Sequence, residues 1–384
     1  MEDQGDIISR ATVQFCLISA QAAANLQPAV NYRPKEAVLF VTSKMAGEMC
    51  QAFKAALKTA VPGIKITEVR LENAYDLNAI RESVAAELLQ RADSPTVINI
   101  TGGTKIMAIG AMLAASDFGI PCFYLNESDN SVCLINSNGT ASDRIKTGAP
   151  IRIKLETYLN AYGYKVESST PFESLTYDED CLIKELIHSP SFKDVMPRIN
   201  ELATSEVARQ QLRVAISSVQ IGRKRMQSFE VLCNRFADAG RLRIENGELV
   251  FPSEADRFFV AGGWLERYVC NTLNSLKLHP MSNVTIFKEA RNELDSAFMH
   301  NGSLFVVECK TSNLSDTHTA NEVIYKFRSF NNLGGLKTRK ILVSYRTLSS
   351  DAKARTADPT NTIKVIEGDQ LKNLTQAFQQ ILNQ

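Results

Sequence analysis

Glu293-Leu-Asp-Ser-Ala-Phe-Met-His-Asn-Gly-Ser-Leu-Phe-Val-Val-Glu-Cys-Lys310 places two runs of strand formers around Asn301-Gly302. Asn-Gly is the strongest short signal for a type I′ hairpin, a turn that needs φ > 0 at both central residues. With those two residues as the loop, His300 faces Ser303 and every cross-strand pair sums to 603. Asp295 then stands opposite Glu308 on one face, with Cβ atoms about 4.5–5.5 Å apart. Lys310, two residues beyond Glu308, points to the same face.

Two carboxylates at that separation repel unless a cation lies between them. Hard oxygen ligands favour Mg²⁺ or Mn²⁺, which lowers the pKa of bound water and offsets charge on a phosphate. A lysine beside them can orient the attacking water or support a pentavalent transition state. The competing reading is a charge cluster on a solvated sheet face. Phe305, Val306 and Val307 make both faces of this strand apolar, which argues against it.

Residues 256–384 read as a separate α/β domain: helix 263–278, strand 283–289, hairpin 292–311, helix 317–331, strands 340–345 and 363–367, helix 369–382. The Asp-x12-Glu-x-Lys arrangement resembles the PD-(D/E)xK nuclease superfamily. That resemblance implies a restriction-endonuclease-like core with Asp295, Glu308 and Lys310 catalytic and with Glu266, Asp295 and Glu308 as metal ligands. Glu266 opens the helix of Gly262-Gly-Trp-Leu-Glu266, where an acid is equally favoured by the helix macrodipole. A supporting Gln-x-x-x-Tyr pair of such nucleases survives as Asn321-Glu-Val-Ile-Tyr325, with Asn for Gln, and Leu294 stands where the family name has proline.

Residues 1–150 alternate strands (12–19, 37–43, 64–71, 96–101, 122–126) with helices (22–31, 45–60, 76–91, 105–118), the pattern of a Rossmann-like parallel sheet covered on both faces. Asn130–Gly139 adds a hairpin signal. Between the fourth strand and its helix lies Asn99-Ile-Thr-Gly-Gly-Thr-Lys-Ile-Met107. It is neither a Walker A loop nor Gly-x-Gly-x-x-Gly, and a plain strand-to-helix turn is the bland alternative. Its glycines allow close backbone approach, and Thr101, Gly102, Gly103, Thr104 and Lys105 offer donors to an anion. Ser19, Gln21, Ser43, Lys44 and Asn126 fall at other strand ends, where open parallel sheets bind ligands.

The Asn-x-Thr-Gly-Gly-Thr-Lys-x-Met string resembles the signature of CARF (CRISPR-associated Rossmann fold) domains. The whole order is similar to a CRISPR ancillary effector nuclease family. That resemblance implies a homodimer that binds cyclic tetra-adenylate across its two-fold axis as an allosteric activator, the 101–105 turn touching the ring's phosphates.

Residues 151–255 turn helical. A helix at 228–239 leads into Arg241–Phe251, where Asn246-Gly247 signals another tight hairpin, so the segment reads as winged-helix-like. Gly222-Arg-Lys-Arg225 would suit duplex DNA; a linking or dimerising module with a solvated basic patch fits as well.

Composition sets the frame. A chain of 384 residues, 44% hydrophobic and 22% charged, suits a globular protein of two or three domains. The net charge of +1 decides nothing about nucleic acid, since a local groove suffices. No apolar run reaches the roughly 18 residues of a membrane helix, and no leader pattern opens the chain, so a cytoplasmic protein is expected. Eight scattered cysteines and four unclustered histidines argue against zinc or a disulfide framework. The leading expectation is an effector-gated, divalent-metal nuclease acting on DNA or RNA with little sequence preference. A ligand-sensing transcriptional regulator and an effector-independent restriction-type endonuclease are the alternatives.

Overall fold

The computed structural model describes residues 4–126, 131–142, 145–146, 153–312, 322–327, 330, 333–336, 338–358 and 362–383. Its N-terminal sheet is built from β1 (Val13–Leu17), β2 (Glu36–Thr42), β3 (Lys65–Leu71), β4 (Thr96–Asn99), β5 (Cys122–Asn126), β6 (Ser131–Ile135) and β7 (Ile145–Lys146), in the order β3-β2-β1-β4-β5-β6-β7. The first five are parallel; β6 and β7 extend the edge antiparallel, as the hairpin signal suggested, although Asn130 lies outside the described residues.

After α1 (Gln4–Arg10), α2 (Ala23–Tyr32) and α3 (Glu48–Ala60) cover one face, packing on Cys16, Leu39 and Val41. Helices α4 (Leu77–Leu89) and α5 (Lys105–Asp117) cover the other, on Phe15, Phe40 and Ile98. Alternate strand residues thus feed two cores, which is why the inner strands β2 and β4 read as largely apolar runs while the edge strand β3 does not. The chain leaves β3 at one edge and returns beside β1 as β4, so the carboxyl ends of β1 and β4 form the topological switch point.

The middle segment runs α6 (Leu155–Ala161), β8 (Lys165–Thr170), α7 (Tyr177–His188), α8 (Pro190–Thr204), α9 (Glu206–Gln211), β9 (Arg213–Ala215), α10 (Arg223–Asp238), β10 (Arg243–Glu245) and β11 (Glu248–Val250). The three short strands pair in the order β10-β11-β9, a sheet with a wing. Asn246 (φ 51°) and Gly247 (φ 79°) both adopt the left-handed region at its turn, as a type I′ hairpin requires. One part was not expected. β8 leaves the helical segment and pairs with the C-terminal sheet. As an exposed edge strand it has no apolar run to announce it.

The C-terminal unit follows α11 (Glu254–Phe258) and α12 (Trp264–Ser275) with β12 (Met281–Phe287), β13 (Arg291–His300), β14 (Ser303–Lys310), β15 (Leu333–Leu336), β16 (Arg339–Ser344) and β17 (Ile363–Glu367). The six-stranded sheet is ordered β17-β16-β14-β13-β12-β8. Of the expected helix 317–331, residues 322–327 are described and helical. The last helix, expected over 369–382, starts as a 3-10 turn at Gly368–Asn373 and becomes regular at Leu374–Leu382. Among the described residues no helix is long and apolar enough to cross a membrane.

One apolar cluster crosses the boundary between the units. It joins Leu26, Leu39 and Phe53 to Tyr158, then to Val284, Leu304, Val306 and Leu342. Polar links run beside it: Gln27 Nε2 donates to Gly302 O in the C-terminal hairpin turn, and Tyr158 OH donates to Gly334 O at 3.0 Å.

Candidate active site

Asn301 (φ 47°) and Gly302 (φ 70°) adopt the type I′ turn, and the pairs from His300↔Ser303 to Ser296↔Val307 follow the expected register. The ladder ends there because Asp295 uses its side chain instead. Its Oδ2 accepts the Cys309 N–H at 2.7 Å, which fixes the carboxylate against the strand carrying Glu308 and Lys310. β14 is flanked by β13 and by parallel β16, so Glu308 is 1% exposed although charged.

Lys310 Nζ lies 2.7 Å from Glu308 Oε1. A second lysine, which the sequence did not single out, completes the cluster. Lys326 Nζ lies 2.8 Å from Glu308 Oε1, 2.7 Å from Oε2 and 3.7 Å from Asp295 Oδ1. It projects from the helical residues 322–327, one position after Tyr325. Tyr325 itself is 62% exposed, and Asn321, the other member of the expected supporting pair, lies outside the described residues.

Glu266 reaches the cluster through backbone chemistry. Gly262 takes φ 129°, a conformation open to glycine, and bends the chain just before α12. A Cβ there would lie 2.5 Å from Thr311 Oγ1, beside Lys310. The kink thus sets the start of α12 against the end of β14. Glu266 Oε2 is buried without a hydrogen-bond partner.

The electrostatics tie the four groups together. Burial pushes the Glu266 carboxyl well above its usual range, and the charges of Asp295 and Glu308 add to this against Lys310. Asp295 is pushed up to about 6, by burial first and then by Glu308, against Lys310, Lys326 and the Cys309 N–H. For Lys310, burial disfavours the charge, but Glu308 and Asp295 outweigh it and hold the ammonium more firmly than usual. Three carboxyls that repel one another, Asp295 and Glu308 buried and Glu266 with one buried, orphaned oxygen, fit a hard divalent cation. As they stand, no three His, Cys, Asp or Glu side chains among the described residues gather at one metal position. Glu308 is held by two ammonium groups, and a cation would have to replace Lys326.

At the switch point of the N-terminal sheet, the Gly-Gly turn is packed hard onto β1. A Cβ on Gly102 would lie 2.2 Å from Leu17 O, and Gly103 has φ 76°. Thr101 is spent on structure: its Oγ1 donates to Asn99 Oδ1 at 2.6 Å and accepts Leu125 N–H at 2.8 Å. Thr104 caps α5, accepting Met107 N–H at 3.1 Å and donating to Ala74 O at 2.9 Å. Lys105 is exposed. The ends of adjacent strands carry Ser19, Ser43, Lys44 and Asn126 to the same edge, with Ser43 and Lys44 exposed. Gln21 stands apart, its Oε1 packed on Gly335 of β15. Beneath the turn, sequence reading missed a buried amide pair: Asn99 Nδ2 donates to Asn25 Oδ1 and Ala24 O, and Asn25 Nδ2 to Leu17 O.

Residues 13–158 match the family model described as Card1 CARF domain, and residues 253–383 the one described as Card1-like, endonuclease domain. Among solved structures the chain is similar to Can2 from Sulfobacillus thermosulfidooxidans in complex with cyclic tetra-adenylate, at 25% identity and TM-score 0.77, covering 99% of each chain. It is similar in fold to protein VC1899 from Vibrio cholerae, at 22% identity and TM-score 0.78, covering 97% of this chain and 98% of that one. A type III CRISPR defence DNA nuclease activated by cyclic oligoadenylate matches at 20% identity and TM-score 0.53, over 88% of this chain and 45% of that chain. No curated protein matches in sequence.

Proposed function

Because the chain belongs to the Card1 family, through a CARF domain over 13–158 and an endonuclease domain over 253–383, we propose that it is a nuclease of CRISPR-linked antiviral defence that a cyclic oligoadenylate switches on. The observation that carries the reading is the convergence of Asp295, Glu308 and Lys310, from one hairpin, with Glu266 from α12. We assign cyclic tetra-adenylate as the activator, the molecule held by Can2, and DNA or RNA as the substrate.

Glu266, Asp295 and Glu308 would hold Mg²⁺ or Mn²⁺, which supplies charge neutralisation at the scissile phosphate and a more acidic water. Asp295 holds its position through the Cys309 N–H, so it needs no reorganisation to act as a ligand. Lys310, kept protonated by its acidic neighbours, donates to a non-bridging phosphate oxygen as charge develops there. Burial of the cluster excludes bulk water and strengthens each of these contacts.

At the input end, the 101–105 turn would meet the ring's phosphates, with Lys105 the exposed cation and Thr101 and Thr104 holding the turn's shape. Dimerisation through the CARF domain is supported by apolar side chains left on α5 and β5: Ile109 is 47% exposed, Leu113 40% and Tyr124 48%. Two-fold symmetry of ligand and dimer would then coincide. The domain limits we propose are 1–150, 151–255 and 256–384, with β8 reaching from the second into the sheet of the third, and free cysteines suit a cytoplasmic protein.

The test is cleavage of single- and double-stranded DNA and RNA with Mn²⁺ or Mg²⁺, with and without each cyclic oligoadenylate. Cleavage should require both the metal and one ring. Cutting that ignores the nucleotide overturns the switch, and no cutting with any ring and metal overturns the nuclease.

A further inference from the structure

The middle segment has a concave, positively charged surface that the reaction at Glu308 does not use. α10 buries Phe229, Leu232, Cys233 and Phe236 against the module's core and leaves its first turn outside. There Arg223, Lys224 and Arg225 are all exposed. The contrast with the far end of the helix is sharp: Arg235 is engaged by Glu185 at 2.8 Å and by Asp238 at 3.5 Å. The three cations at the start have no carboxylate partner among the described residues.

They line a hollow of about 300 Å³, together with Arg198 of α8, which Glu201 engages at 2.7 Å, Gln220 and an apolar floor at Val195. A second hollow of about 740 Å³ continues past Ile221, between Met226 of α10 and the wing turn at Asn246-Gly247. The wing's acids do not cancel the patch, because Glu245 is paired to Arg243 at 3.4 Å and Glu248 to Arg213 at 3.5 Å. Helix and wing therefore flank one trough, and the charge left free along it, at Arg223, Lys224 and Arg225, is positive.

The trough is also near the reaction centre. Arg198 lines it, while Asn200, two residues along α8 and so on the opposite side of the helix, donates to Thr311 Oγ1 at 2.9 Å. Thr311 follows Lys310. The distance across is about one helix diameter, ~10–12 Å, which at 3.4 Å per base pair is roughly three base pairs.

We propose that Arg223, Lys224, Arg225 and Arg198 bind the phosphodiester backbone of a duplex nucleic acid and hold it across α8 for the site at Glu308. A duplex suits the trough because it fills a helix-and-wing hollow while presenting a regular row of phosphates to planar guanidinium groups. The contacts go to phosphates alone, so they position the substrate and carry no sequence preference. This surface rests on the nuclease reading for its purpose, but its binding can be measured without cleavage.

The experiment uses the full chain with Glu308→Gln, without divalent metal, and a fluorescein-labelled 30-base-pair DNA duplex read by anisotropy from 50 to 200 mM KCl. Combined Arg223→Gln, Lys224→Gln and Arg225→Gln should weaken binding about tenfold or more. The log–log salt slope should become shallower by about 0.9 for each phosphate that is no longer neutralised. Removing the same charge at exposed Lys35, Lys58 and Lys154 should change neither. Because all the altered residues are exposed, both variants should melt like their parent, and Arg198→Gln alone gives a smaller loss of the same kind.

Equal affinity and slope in the patch variant and the control overturn the proposal. So does a single-stranded 30-mer that binds as tightly and loses as much, which would deny the duplex. Displacement of the duplex by poly-glutamate as readily as by unlabelled DNA would make the patch a site for acidic protein instead. A patch that binds duplex in a protein that never cuts would leave this inference standing and remove the nuclease.

Discussion

Lys326 places its ammonium nitrogen within 2.8 Å of both oxygens of Glu308. A cation in that position satisfies the carboxylate as a metal would, with half the charge. Lys326→Met should therefore tighten Mn²⁺ binding by about fivefold in calorimetry, the equivalent of the ~1 kcal/mol that a partly exposed pair contributes. Affinity that stays equal or falls would mean the lysine does not compete with the metal.

The hairpin residues predict a separation of functions. Asp295→Ala, Glu308→Ala and Lys310→Ala should each lower cleavage by at least about 100-fold, since each removes a charged group at the reacting phosphate. Cyclic tetra-adenylate affinity should stay within about twofold in the same proteins. Full activity in all three would place the reaction elsewhere.

Within the Gly-Gly turn, Lys105 and Thr104 should fail differently. Lys105→Ala removes a cation from an exposed position and should weaken cyclic tetra-adenylate by about tenfold at unchanged melting temperature. Thr104→Ala removes an N-cap and should cost about 1 kcal/mol of stability. A Lys105 variant with parental affinity would exclude that side chain from the ligand.

Asp295, raised to about 6, makes stability depend on pH in a stated direction. Its folded pKa lies above the unfolded value of about 3.9, so its contribution is fully present below about pH 4 and lost as pH climbs through about 6. Asp295→Asn removes that loss. In EDTA at pH 8 the variant should be more stable than the parent by on the order of 2 kcal/mol, with the gap closing by pH 4. Adding Mn²⁺ should stabilise the parent more than the variant. A gap that widens toward low pH would refute the assignment.

Gly262→Ala should lower stability by about 2 kcal/mol or more, because φ 129° and Thr311 Oγ1 at 2.5 Å leave no room for a methyl group. Mn²⁺ affinity should fall with it, since the same bend aims Glu266. Denaturant melts and calorimetry on the one variant report both.

What could be read in advance followed from local rules. Asn301-Gly302 fixes a turn, the turn fixes a register, and the register put Asp295 beside Glu308 with no tertiary information needed. The inner parallel strands β1, β2 and β4 were legible because both their faces are buried. Lys326 was not legible, because it reaches Glu308 from a helix that shares no ladder or turn with the hairpin. β8 was hidden for the opposite reason: an exposed edge strand has no apolar pattern to show. Gln27, buried on α2, donates to Gly302 O, a partner so far along the chain that no local pattern announces it.

The apolar cluster that runs from Leu26 and Leu39 through Tyr158 to Leu304 and Leu342 has a practical result for anyone cutting the gene. A fragment ending near residue 150 would leave the interior side of α2 and α3 wet, and one beginning there would strip α6 of its backing. Neither half is a cassette. A transplanted receptor would have to bring the surface around Gln27 with it, and heating should melt sensor and cutter together as one cooperative transition.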